Sequence, residues 1–202
     1  MRAGLEVANE EGIDAVTLRR IAGTLSVTPM ALYRHVSNKS DLLAGILDLV
    51  VRDAAVTDQD DEDWRAWTCR TFARMAEAML EQPGVVALVG RVGSLGPATV
   101  PVLEKILSRL CAAGFSPSQA ASLQQDLNRF VLGTVVLDGA IGGDPSDGDR
   151  ERHVRARLEL LPSKKFPALT DHAEAIAHSM TNRDYETGLQ RIIDSHAGAL
   201  TL

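Results

Sequence analysis

The sequence predicts an all-α protein: a small N-terminal helix-turn-helix domain followed by a larger helical domain. Two observations lead there. Apolar residues recur at helical spacing through most of the 202 residues, and no stretch alternates as a half-buried strand would. Helix starts are also spelled out by capping residues: Thr17 before an apolar repeat, Thr28-Pro29, Asn38 with Asp41, and Ser116-Pro117-Ser118-Gln119. Hydrophobic residues make up 45% and aromatic ones only 4%, so the core must be mainly Leu, Val, Ala, Ile and Met.

Residues 3–11 read as a short amphipathic helix with Leu5 and Ala8 inward, stopped by Gly12. Ile13 and Val16 form an apolar link. A second helix runs from Thr17 to about Leu25, with Leu18, Ile21, Ala22 and Leu25 repeating at helical spacing. Ser26-Val27 is a tight turn. Thr28 then caps a third helix with Pro29 at its first position, ending near Val36. The fourth helix starts at Asn38–Asp41 and carries the stripe Leu42, Leu43, Ile46, Leu47, Val50.

An acidic run, Asp58 to Asp63, links to a helix from about Asp63 to Gln82 with Trp64, Trp67, Phe72, Met75 and Met79 inward; Pro83-Gly84 breaks it. Residues 85–96 hold a short helix and a turn with Gly90, Gly93 and Gly96, in no phosphate-binding pattern. A helix from about Ala98 to Ala113 ends at Gly114. Ser116-Pro117-Ser118-Gln119 launches a long helix to about Ile141. Then come a Gly/Asp loop (Gly142 to Asp149), a charged helix (Arg150 to Leu161), a Pro-bounded loop (Pro162 to Pro167), and helices over about Thr170–Met180 and Arg183–Leu200.

Composition excludes several classes. No apolar stretch approaches the ~20 residues of a membrane span, and no signal peptide opens the chain, so the expected compartment is the cytoplasm. Cys69 and Cys111 lie far apart in apolar helical settings and read as buried thiols, with neither a disulfide nor a zinc site. Asp149 and His153 straddle a loop boundary, and His172 and His178 do not share a helix face, so no metal is expected. No nucleophile motif or paired catalytic carboxylates are present; neither an enzyme nor a cofactor is expected.

The stretch TLRRIAGTLSVTPMALYRHV is two short helices joined by a three-residue turn, with apolar helices on both sides. Leu18, Ile21, Ala22, Val27 and Leu32 are spaced to pack the pair. Thr28, Pro29, Met30, Tyr33, Arg34 and His35 are left facing outward, as on a helix that enters a major groove. Thr28 and Tyr33 offer hydroxyls to phosphates and Arg34 can bond guanine. Lys39 sits where an ammonium and a helix N-terminus both favour phosphate. The net charge of −6 does not oppose this. Residues 1–52 balance six basic against six acidic side chains, and residues 17–39 hold Arg19, Arg20, Arg34 and Lys39 with no acid.

The segment GIDAVTLRRIAGTLSVTPMALYRHVSNKSDLL strongly resembles the DNA-binding module of the tetracycline-repressor family. The resemblance carries DNA contacts onto Tyr33, His35 and Lys39 within LYRHVSNK, and a groove-reaching arginine onto Arg19. LCAAGFSPSQA, RFVLGTVVLD, FPALTDHAEAI and YETGLQRIID are similar to landmarks of the C-terminal domain of the tetracycline-repressor class. It implies an Ω-shaped homodimer held by a helical bundle, with a ligand pocket in each subunit. Family members usually have an extra helical turn and a basic tail before the position of Ala3. The histidine through which tetracycline-binding members hold the magnesium–drug complex is matched here by Leu88, and a glutamate of the metal's outer shell by Leu137. Magnesium-tetracycline is therefore not the expected ligand.

The expected organisation is a DNA-binding domain over 1–48 and a ligand-binding and dimerisation domain over 49–202. The candidate DNA set is Thr17, Arg19, Arg20, Thr28, Pro29, Met30, Tyr33, Arg34, His35 and Lys39, acting on a palindromic double-stranded operator. A small organic effector is expected in an apolar cavity lined by Thr71, Met75, Leu88, Leu103, Ile106, Phe130 and Leu137. Leu127, Val131, Val135, Leu189, Ile192 and Ile193 are expected to pair across a two-fold axis. A ligand-free interaction module could use the same fold; ligand-shifted DNA affinity separates the two.

Overall fold

The computed structural model describes residues 1–54, 62–89, 99–141, 149–181 and 184–201. Among them the chain is helical, with no strand. The helices are α1 (Arg2–Glu11), α2 (Leu18–Thr24), α3 (Pro29–Tyr33), α4 (Lys39–Asp53), α5 (Trp64–Leu80), α6 (Pro83–Val89), α7 (Thr99–Ala112), α8 (Pro117–Ile141), α9 (Asp149–Glu159), α10 (Pro167–Asp171), α11 (Ala173–Thr181) and α12 (Tyr185–Ala197). Two compact units result: Met1–Ala140 with Tyr185–Leu202, and Ile141–Asp184. The acidic run through residue 61, the Gly90–Gly96 turn, the Gly142–Asp149 loop up to residue 148, and Arg183 lie outside the described residues.

The capping residues act largely as their chemistry requires. The Thr17 hydroxyl accepts from Arg20 N–H at 3.1 Å, and Asn38 Oδ1 accepts from Asp41 N–H at 2.9 Å. At α8 the box is reciprocal: Ser116 N–H donates to Gln119 Oε1 at 2.9 Å, and Gln119 N–H to Ser116 Oγ at 3.4 Å. Gly12 closes α1 at φ 84°, a left-handed value that glycine takes without a Cβ clash.

Four local expectations are corrected. Thr28 stands at the cap of α3, but its hydroxyl makes no cap bond; Ala31 N–H goes to the Thr28 carbonyl at 3.0 Å instead. The third helix stops at Tyr33 rather than Val36, because the chain turns to bury Val36 in the core. Helix α10 starts at Pro167, whose missing N–H costs nothing there, and His172 (φ −116°, ψ 20°) separates it from α11. Cys111 is exposed and Cys69 half-buried; the inward position of α7 belongs to neighbouring Leu110, which is fully buried.

The larger unit holds one continuous apolar core. Val7 and Ala8 of α1, Ile21 of α2 and Leu42, Ile46 and Val50 of α4 join it from the N-terminal side. Trp67, Phe72 and Met75 of α5, Leu88 of α6, Leu110 of α7, Leu127 of α8 and Ile193 of α12 continue it. In the smaller unit, Ala173 and Ala177 of α11 are buried, and His178 Nδ1 lies 3.3 Å from Glu151 Oε2 of α9.

Candidate nucleic-acid interface and helical-domain core

The pairing of α2 with α3 rests on Leu18, Ile21 and Ala22, all buried, with Leu32 half-buried. Val27 and Leu25, expected inward, are 43% and 48% exposed. The three-residue turn between the helices explains this. Ser26 takes φ 54°, and Val27 N–H bonds the Ala22 carbonyl at 3.0 Å, so hydrogen bonds hold the turn where apolar contact does not.

All ten candidate DNA residues are exposed. Met30, at 70%, and Tyr33, at 53%, stand out from a short helix that buries none of its own residues. An apolar side chain held this far in water suits the methyl and ring edges of a groove floor.

The cations of this face are not equivalent. Arg20 is turned back onto the first helix: its Nε donates to Glu11 Oε1 at 3.0 Å and Oε2 at 3.2 Å, and Nη1 to Thr24 Oγ1 at 2.8 Å. Hydrogen bonding from Arg20 holds the Glu11 carboxyl below its ordinary value, and Glu11 raises Arg20 in turn. In the free protein Arg20 is thus engaged by Glu11, an acid that lies outside residues 17–39 and so outside their charge count. Lys39 Nζ donates to the Asp14 carbonyl at 3.3 Å, which ties the start of α4 to the link after α1. The side chains of Arg19 and Arg34 make no hydrogen bond or ion pair with the described residues.

Four of the seven candidate cavity residues, Thr71, Met75, Leu88 and Ile106, are buried in the common core. Leu103 and Phe130 are half-buried, and Leu137 is 65% exposed. Leu137 therefore leaves the cavity set as the protomer stands. Phe130 is committed to the crossing of α8 with α12, where a Cβ on Gly188 would lie 2.2 Å from its Cζ. The sequence did not single out Trp67 as a polar group. Its Nε1, like Thr71 Oγ1, is buried and meets no hydrogen-bond partner. Among the described residues no three His, Cys, Asp or Glu side chains gather as a metal set, and no described helix is long and apolar enough to cross a membrane.

The residues expected to pair across a two-fold axis are mostly used inside the protomer. Leu127, Val131, Val135, Leu189 and Ile193 are buried by the chain itself, and Ile192 is half-buried. Helical spacing identifies a stripe that must be covered but not what covers it. Among the described residues, the large apolar side chains that α8 leaves exposed are Val136 and Leu137.

Two polar junctions had no signal in the sequence. Asn9 of α1 accepts from Gly84 N–H at 3.1 Å through Oδ1 and donates through Nδ2 to Gln82 Oε1. Asp48 of α4 accepts from Thr99 N–H at 2.8 Å and from its hydroxyl at 2.7 Å, capping α7 from another helix.

With this geometry in place, comparison with known proteins is informative. The model for bacterial regulatory proteins of the tetR family matches residues 1–46. That for the tetracyclin repressor-like C-terminal domain matches residues 57–196. The chain is 28% identical over 200 residues to the tetracycline repressor protein class A from transposon 1721 of Escherichia coli, covering 98% of this chain and 88% of that protein. It is 29% identical over 205 residues to the HTH-type transcriptional repressor DrrR1 of Streptomyces coeruleorubidus, with coverage of 96% and 74%. In fold it is similar to the Streptomyces coelicolor TetR family protein ActR solved in complex with actinorhodin. That match has a TM-score of 0.84 and 24% identity, and covers 98% and 95% of the two chains. An exposed helix-turn-helix, a helical core continuous with it and two family matches that span most of the sequence agree: the chain belongs to the tetR family of bacterial regulatory proteins and carries a tetracycline-repressor-like C-terminal domain.

Proposed function

We propose that the protein is a ligand-responsive transcriptional repressor that acts in the cytoplasm as a homodimer on a palindromic operator. Residues 1–48 supply the DNA grip, and 49–202 supply dimerisation and an effector site. The observation that carries the reading is the α3 face: Met30 and Tyr33 stand in solvent beside Arg34, on a helix that contributes no buried residue of its own. Such a face has no use in the fold of one chain. The repressor names of the relatives support the direction of control. With Leu88 buried among aliphatic groups, the effector is an organic molecule held without a metal.

In this mechanism each α3 lies in a major groove, and the two must reach the ~34–36 Å that separates successive grooves on one face of the duplex. Tyr33, Lys39 and Arg19 hold phosphates; Pro29, Met30 and Arg34 meet base edges. Effector acts by differential affinity, stabilising a dimer whose heads no longer match that spacing.

The test is quantitative binding to the DNA upstream of the protein's own coding sequence. Lys39→Ala should weaken all duplexes alike and flatten the salt dependence by roughly one unit of slope per head. Arg34→Ala should cost ~1–3 kcal/mol on the operator alone. No preference over random duplex at low salt refutes the repressor reading. A DNA affinity that no small molecule shifts leaves a ligand-free interaction module.

A further inference from the structure

Met30 is 70% exposed, more than Leu25 (48%) or Val27 (43%) before it. A single exposed apolar side chain needs no explanation on most surfaces. This one stands at the second position of α3, a helix that buries none of its own residues, in the turn from which a recognition helix reaches base edges. One turn further on, Arg34 keeps helical dihedrals (φ −72°, ψ −19°). Its exposed side chain makes no hydrogen bond or ion pair with the described residues. Residues i and i+4 are neighbours on one helix face, ~6 Å apart. Met30 and Arg34 therefore meet the groove side by side.

Their chemistries are complementary. The Arg34 guanidinium is a planar fork of donors that fits guanine O6 and N7. Met30 has no donor and only a weak acceptor, so it does not read the polar atoms that distinguish base pairs. An unbranched thioether buries apolar groups, and the apolar group on the major-groove edge of a base is the thymine C5-methyl. A spacing of ~6 Å covers about two base-pair steps of ~3.4 Å. Resting on the repressor reading above, we propose that Met30 is a specificity-determining residue that selects a thymine by its C5-methyl, within two base pairs of the guanine held by Arg34. Each operator half-site then carries that thymine and that guanine together.

The probe is the duplex upstream of the protein's own coding sequence that the full chain protects. Each thymine in turn is replaced by deoxyuridine, which lacks only the methyl. Each guanine in turn is replaced by 7-deazaguanine, which lacks the N7 acceptor. The expected result is one thymine per half-site whose replacement weakens binding ~4-fold, or ~16-fold when both half-sites are changed. One guanine within two base pairs of it should cost ~10-fold. Met30→Ala should bind the thymine and uracil duplexes equally and keep the response to 7-deazaguanine. Arg34→Ala should do the reverse. Insensitivity to uracil at every position overturns the proposal, and so does a uracil penalty that survives Met30→Ala or lies more than two base pairs from the guanine. In each of those cases the protected duplex leaves the repressor reading standing. No duplex bound in preference to random DNA overturns that reading and the proposal with it.

Discussion

Replacing Gly84 by alanine tests a close approach of one helix to the backbone of another. A Cβ at this position would lie 2.4 Å from the Ala8 carbonyl carbon, 2.5 Å from its oxygen and 2.7 Å from its Cβ. Carbon atoms pack at ~3.5–4.0 Å, so α6 must retreat from α1 by roughly 1 Å. The obstacle is backbone, which cannot rotate aside. Overpacking of this kind costs ~1–3 kcal/mol. The retreat also stretches the 3.1 Å bond from Gly84 N–H to Asn9, adding ~0.5–1.5 kcal/mol. For a chain of this size the sum lowers the melting temperature on the order of 5–15 °C. Gly45→Ala is the control. Its Cβ meets Met1 Cε at 2.4 Å, the far end of a terminal side chain that can swing away. The interior of α4 gains up to ~1 kcal/mol of helix propensity, so that variant should melt at or slightly above wild type. Thermal unfolding followed by circular dichroism reads both. A Gly84→Ala protein that melts with Gly45→Ala would show that α1 does not back onto α6 as described.

Other substitutions probe other links. Asp48→Ala uncaps α7 by removing the acceptor for both Thr99 donors, and should cost ~1–2 kcal/mol in the same melts; an unchanged melting temperature would deny the α4–α7 junction. Ser26→Val places a β-branched residue at φ 54° and should lose ~1–2 kcal/mol while Ser26→Gly loses nothing; equal stability of the two would contradict the left-handed turn. Burial, and secondarily the Glu186 charge, push the Cys69 thiol up, whereas Cys111 is exposed. Thiol titration of the native protein should therefore show one fast group, and Cys111→Ser should abolish it; a fast group that survives the substitution would place Cys69 at the surface.

Much of this fold was legible because local chemistry dictates it. A hydroxyl before proline, a serine three residues from a glutamine and a glycine after an apolar repeat each satisfy or end a helix within one turn. The boundaries that slipped are those set from far away: α3 ends early because Val36 is needed in the core, and Cys111 faces out because Leu110 faces in. The exposure of the α3 face was readable because Leu18, Ile21 and Ala22, buried beneath it, repeat at helical spacing. The dimer stripe was not, because the protomer's own core and a partner subunit ask for the same pattern in Leu127, Val131 and Val135. Trp67 escaped for a similar reason: an aromatic residue on an inward face satisfies the core whether or not its N–H finds a partner.

Charge shows the same limit, and it can be measured. Counting residues 17–39 gives four cations per head, or eight for a dimer, and a dependence of log affinity on log salt of about −7. In the free protein Glu11 holds Arg20, and an ion pair kept on DNA leaves Arg19, Arg34 and Lys39 to meet it. Six cations per dimer give a slope no steeper than about −5. Glu11→Gln should return Arg20 to the DNA face, steepening the slope by up to about two units and raising affinity for operator and random duplex alike. Acidification should act in the same direction. Because Glu11 titrates below its ordinary value in the folded chain, its hold on Arg20 persists above the usual carboxylate range and is lost as pH falls through that depressed value. Binding titrated against salt for wild type and Glu11→Gln decides the point. A wild-type slope near −7 that the substitution leaves unchanged would mean that DNA already takes Arg20 from Glu11, and that the ion pair belongs only to the free protein.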